Sequence, residues 1–201
     1  MKKSILIILA LTTLTIANAQ FSRDSIKSIR KSLPKGVYMK VDQMEGVIWI
    51  KSKKISTRLS EKGNYIQFYF AISESGKIGP LRIVNSITTS SWVFMKKATY
   101  LVGGSKMNKA GEQKRFEISL GDVYRKVNTG GSVTEKSDVI CNDEIIQFMQ
   151  YQIKKRAFIT IRYSGKESYI ERPIFGGKAA SIFAIVLDAY EKYKEESQSE
   201  D

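Results

Sequence analysis

No histidine occurs in the 201 residues, and cysteine occurs once, at position 141. The first absence removes Ser-His-carboxylate and Cys-His catalysis in their usual forms, because no imidazole is present to take and return the proton. Zinc sites of the HExxH type, or of mixed Cys/His ligation, go with it. A lone cysteine excludes an internal disulfide. General acid–base work near neutral pH would fall to Asp, Glu, Lys or Tyr with shifted pKa values. No EF-hand loop, GxGxxG or CxxC motif occurs, so no metal and no cofactor is expected. Gly176-Gly177-Lys178 stands before an apolar helical pattern, as a phosphate loop would. However, Glu171 and Arg172 fall where the first glycine of GxxxxGK[ST] belongs, and Ala179 replaces its hydroxyl residue. A glycine turn explains these residues.

What is present begins with MKKSILIILALTTLTIANAQ. Lys2 and Lys3 precede an apolar run, Ile5 to Ile16, and Ala17-Asn18-Ala19 supplies the small-x-small pattern of a signal-peptidase site. The run is shorter than the roughly 20 residues that span a bilayer, and no second long apolar run follows. The reading is a signal peptide over 1–19, with cleavage after Ala19, a single domain over 20–194, and a frayed acidic tail over 195–201. This places the protein in the periplasm or outside the cell, with no transmembrane segment. The precursor charge is +13, and removing Lys2 and Lys3 leaves +11. Such a balance favours anionic partners: envelope polysaccharide, lipid headgroups or acidic protein. Lysines outnumber arginines 24 to 9 without a run of five basic residues, which also suits a solvated surface. Export makes nucleic acid an unexpected ligand.

Along the chain, Ile26, Ile29 and Leu33 mark a short amphipathic helix over 22–33, which Pro34 ends. A long series of strand patterns follows: VYMKV, GVIWIK, ISTRL, GNYIQFYFAIS, PLRIVNSIT, SWVFMKKATYLV, RFEISLGDVYRKV and VTEKSDVI. GGSKMNKAGEQK, residues 103–114, has loop composition. A closing unit comprises a helix over 143–155, the strands AFITIRYSG and ESYIERPI, and a helix over 178–194. In that last helix Ala179, Ile182, Phe183, Val186, Leu187 and Tyr190 make one stripe. Strands in succession with helices at the ends predict an α+β fold. Its curved, mainly antiparallel sheet of about seven to nine strands would pack against the C-terminal helices, with a short helix at the N-terminus.

Alternation in the strands assigns Ile66, Phe68, Phe70, Leu81, Ile83, Ile159 and Ile161 to the core. The opposite face then presents Tyr65, Gln67, Tyr69, Arg82, Thr160 and Arg162. Tyr65, Tyr69, Arg82 and Arg162 are the candidate ligand-binding residues, since aromatic platforms with guanidinium groups suit sugar rings or acidic peptides. Trp49 and Trp92 are expected as core anchors. No catalytic residue stands out. Ser28-Ile-Arg-Lys31 and Ser32-Leu-Pro-Lys35 match SxxK without its companion SDN and KTG elements. Asp42, Glu45, Asp122, Asp143, Glu144 and Glu171 could supply a glycosidase pair, but their spacing selects none. Asn142 reads as a helix N-cap with Asp143 and Glu144 in the first turn. That places Cys141 and Ile146 as a hydrophobic staple, which explains the cysteine without chemistry. A thiol activated by the helix end, or an intermolecular bridge, are the rival readings.

YIQFYFAIS and GPLRIVNSITTSSWVFMKKATYLVGG, with the closing AFITIRYSGKESYIERPI and LDAYEKY, resemble small exported single-domain proteins of bacteria and phages. The likeness covers about residues 65–195. It implies a shared α+β fold and an exported location, and it carries over no catalytic residue. The functional expectation is a non-enzymatic binding domain for an anionic or glycan component of the envelope. A carboxylate-dependent glycan hydrolase, or a structural or inhibitory protein that binds another exported protein, are the alternatives.

Overall fold

The computed structural model describes residues 21–57, 63–103, 114–166 and 168–198. The predicted signal peptide and most of the loop over 103–114 lie outside them. The described residues are α+β, with three helices and eleven strands: α1 (Arg23–Ser32), β1 (Val37–Asp42), β2 (Val47–Ser52), β3 (Ile55–Ser56), β4 (Tyr65–Ser73), β5 (Arg82–Thr89), β6 (Lys97–Val102), β7 (Lys114–Ser119), β8 (Val123–Val127), β9 (Val133–Ile140), α2 (Asp143–Lys155), β10 (Ile159–Ser164), β11 (Tyr169–Ile174) and α3 (Gly176–Gln198). Seven strands form one antiparallel sheet in the order β1-β2-β4-β5-β9-β8, with β3 paired to β4; the order β11-β10-β6-β7 forms a second.

Two sheets replace the single one expected, and the reason lies between β5 and β6. SWVFMK alternates like a strand, yet residues 90–96 carry no ladder, and Phe94 sits in the left-handed region at φ 55°. The buried Glu135 of β9 collects this segment. Its Oε1 accepts from the Val93 and Phe94 N–H groups at 2.6 and 3.0 Å, and its Oε2 from Met95 N–H at 2.8 Å. The N–H groups that would continue a ladder are thereby used up, and the chain crosses to the second sheet. There Lys96 N–H donates to Ser164 O at 2.9 Å. A Cβ on Gly165 would meet Val93 O at 1.6 Å, so the β10–β11 turn needs glycine where it closes over the crossing segment.

The core lies between the sheets and under the helices. Ile48 and Ile50 of β2, Ile66, Phe68 and Phe70 of β4 and Ile83 of β5 are fully buried, as are Ile159 and Ile161 of β10, while Leu81 is nearly so. Phe183 of α3 meets Phe68 edge-on at 5.1 Å, and Phe148 of α2 stacks between Phe183, Tyr100 and Phe116. Where the sheets face each other, the Tyr100 and Tyr163 hydroxyls donate to Asn85 Oδ1 at 2.6 and 3.1 Å.

The helices follow their sequence signals closely. Ser22 caps α1 by accepting from Ser25 N–H, and Asn142 caps α2 by accepting from Ile145 N–H at 3.1 Å. α3 continues to Gln198, past the expected end at 194, with Lys192 and Glu196 paired at i,i+4. A Cβ on Gly176 would lie 1.8 Å from Ala157 O, so this glycine is set by the docking of α3 against the end of α2. Among the described residues no helix is long and apolar enough to cross a membrane.

Candidate functional site

With Ile48 and Ile50 taking the core positions of β2, strict alternation sends Trp49 and Lys51 to the outer face. Trp49 is thus half-buried on the outer face instead of a core anchor, and Trp92 is half-buried in the crossing segment beside Phe94. The ladder pairs Lys51 with Tyr38 on one side and Tyr69 on the other, and Tyr69 in turn with Arg82, which lies opposite Ile140. One row of outward residues therefore runs across five strands: Tyr38, Lys51, Tyr69, Arg82 and Ile140. Its ends, Tyr38 and Ile140, are 44% and 51% exposed, so the row is open to solvent.

The middle of this row is tightly connected. Trp49 and Tyr69 meet edge-on at 5.6 Å, and Lys51 Nζ sits 5.8 and 5.7 Å from their ring centroids. Tyr69 donates its hydroxyl to Asp138 Oδ2 at 2.5 Å, and Arg82 Nε donates to Asp138 Oδ1 at 2.9 Å. Burial, then the hydrogen bond to Asp138, push the Tyr69 phenol up to about 12, so it stays a neutral donor across the physiological range. Lys51 is lowered from the ordinary lysine value, first by burial and then by the nearby charges of Lys40 and Lys136. That repulsion marks a surplus of positive charge on the face. Beyond Asp138 the face dips into a depression of about 550 Å³ lined by Asp122, Val123, Tyr124, Lys136 and Asp138.

Of the four residues expected to bind ligand, three share this sheet. Tyr69 and Arg82 are neighbours, and Tyr65 lies on the same face with Lys54 Nζ 4.1 Å over its ring. Arg162 does not join them. It belongs to β10, on the outer face of the smaller sheet, where Tyr169 lies against it and Glu171 pairs with it. Its neighbour Tyr163 points into the core against Asn85, so the two sheets turn their outer faces to different sides. Single-strand alternation gives the face of each residue correctly but says nothing about which sheet a strand joins.

Trp49, Lys51, Asp138 and Tyr124 were not among the expected site residues. Alternation in GVIWIK carries the signal for the first two, outweighed by the usual burial of tryptophan. The expected carboxylates are dispersed. Asp42 accepts from Glu45 N–H within the β1–β2 turn, and Glu144 accepts from Glu117 N–H at 2.8 Å. Glu171 is engaged by Arg162, and Asp122 stands in the depression beside Asp138. Among the described residues no group of three or more His, Cys, Asp or Glu could hold a metal ion. Cys141 is mostly buried, and burial pushes its thiol well above the ordinary range. Gly176 and Gly177 are the first two residues of α3, which begins before the expected start at 178, so they belong to the helix and not to a turn ahead of it.

Comparison with protein-family models, with curated proteins and with solved structures gives no match. Fold and surface alone define the class: an α+β protein of two antiparallel sheets, with an aromatic and basic outer face on the larger one.

Proposed function

We propose that the protein is an exported, non-enzymatic binding module, and that the outer face of its larger sheet takes an anionic glycan of the cell envelope. The Trp49–Tyr69 ring pair with Lys51 and Arg82 beside it carries this reading. Flat rings offer apolar contact to sugar faces, the cations attract acidic groups, and Asp138 accepts hydrogen bonds from hydroxyls. From β2 to β8 the face crosses four strand intervals of roughly 4.8 Å each, about 19 Å in all. That length suits an extended chain better than one small molecule. Export rests on the N-terminal signal pattern.

Affinity electrophoresis of the chain from Gln20 onward, in gels containing alginate or neutral dextran, tests the reading. Alginate should retard the protein, and dextran much less. Tyr69→Ala combined with Lys51→Gln should weaken retardation about tenfold, the effect of losing one stacking partner and one charge. The unfolding midpoint should change little. Unchanged retardation in this variant sinks the proposal. Release of new reducing ends from the polymer would replace it with the hydrolase reading, since Asp122 and Asp138 share the depression.

A further inference from the structure

The outer face of the smaller sheet carries a separate cluster. Across the ladders Ser164 lies opposite Lys97, Arg162 opposite Thr99, and Leu101 opposite Arg115. Alternation points all six side chains outward, and together they line a depression of about 190 Å³. At roughly 30 Å³ per water, this is room for about six waters. One compact charged group fits there, and a polymer segment does not.

Three cations converge on the cluster. Glu117 takes Lys97 at 2.8 Å and also pairs with Arg115, while Glu171 takes Arg162 at 2.6 Å. The three cations of the lining thus pair with two carboxylates, and a third carboxylate, Glu144, sits at the sheet edge, accepting from Glu117 N–H at 2.8 Å. Both guanidinium groups retain donors as well. Arg162 directs Nε and Nη2 at the single oxygen Glu171 Oε1, and Arg115 directs its Nε and Nη2 at Glu117 Oε2. A guanidinium has five N–H donors, so each keeps three. Tyr169, 4.9 Å from the Arg162 guanidinium, holds its plane. The Ser164 hydroxyl adds a neutral donor, while the Thr99 hydroxyl donates to Glu117 Oε2 at 3.5 Å.

We infer that this depression binds a single oxyanion: a phosphate, sulfate or carboxylate group. Planar forks from Arg115 and Arg162 suit its paired oxygens, Lys97 supplies a point charge, and the Ser164 hydroxyl completes the donors. The site stands apart from the aromatic face and does not depend on what that face binds.

Calorimetric titration with sodium sulfate and with sodium phosphate tests it, against sodium chloride at matched ionic strength to remove general screening. Saturable heat is expected for sulfate or phosphate and not for chloride. Arg162→Gln and Lys97→Gln should each lower affinity at least tenfold, and Lys178→Gln, at an exposed position of α3, should leave it unchanged. Arg162→Lys keeps the charge without the fork; a loss of several-fold there supports the site even where Arg162→Gln unfolds. A parallel arm uses dextran sulfate. Retention that requires Arg162, without a response to the inorganic ions, assigns the anion to a polymer-borne group at the same residues. Absence of any response that depends on Arg162 or Lys97, or equal loss with Lys178→Gln, overturns the inference.

Discussion

Glu135 has no exposed surface, and its two oxygens serve three consecutive backbone N–H groups, with Arg125 Nε 3.4 Å away. A carboxylate so placed replaces the ladder bonds that residues 93–95 give up when the chain leaves the larger sheet. Glu135→Ala should cost about 3–5 kcal/mol, because the buried donors lose their acceptor together. Denaturant unfolding reads this loss, and hydrogen exchange should show residues 93–95 opening first. Lys51 gives a second prediction at this scale. Its pKa is lowered, so its proton leaves below the ordinary lysine value of 10.5. Anion binding needs the protonated amine, so alginate affinity should fall as pH rises through that lowered value. In Lys51→Gln this step should vanish, and a titration of retardation against pH shows whether it does.

Single elements follow local chemistry. The α2 boundaries, Asp143–Lys155, coincide with the predicted helix because Asn142 is an N-cap by side-chain type and the acidic first turn suits the helix dipole. Cys141 and Ile146 both pack against the core, in the positions of the staple, and the Cys141 N–H is tied to Leu81 O at 2.8 Å. The native thiol should therefore resist a thiol reagent until the protein unfolds, and a non-reducing gel should show monomer. Rapid labelling of folded protein would restore the reactive-thiol reading. The predicted strand over 91–102 kept only its second half, as β6. Period-two alternation continues through Trp92 and Phe94, but an acceptor some 40 residues away bends the backbone there. No local pattern reports such a partner.

For the whole molecule, the decisive contact is the meeting of the two sheets at Asn85. Tyr100 and Tyr163 are fully buried, and both hydroxyls end on one amide oxygen. Burial raises both phenols well above their ordinary value, so they remain neutral donors. Asn85→Ala should orphan two hydroxyls and cost about 2–4 kcal/mol. Tyr100→Phe and Tyr163→Phe combined with it should recover part of that loss, because the polar groups then disappear together. A double-mutant cycle from thermal unfolding measures the recovery. Additive losses would show that the hydroxyls are satisfied without Asn85.

The order of elements, the face of each strand and the caps of the first two helices follow from the sequence alone. Each depends on neighbours within a few residues: alternation for Ile66, Phe68 and Phe70, side-chain acceptors for Ser22 and Asn142, a 3.6-residue stripe for α3. The same alternation placed Tyr69 and Arg82 outward correctly. Only the tertiary structure decided that Lys51 joins the row and Trp49 packs beside it, that Asp138 ties Tyr69 to Arg82, and that Arg162 belongs to a different surface. Strand register and sheet membership arise from contacts between residues far apart in the chain. Here the chain crosses from one sheet to the other where the buried Glu135 carboxylate takes the N–H groups of residues 93–95.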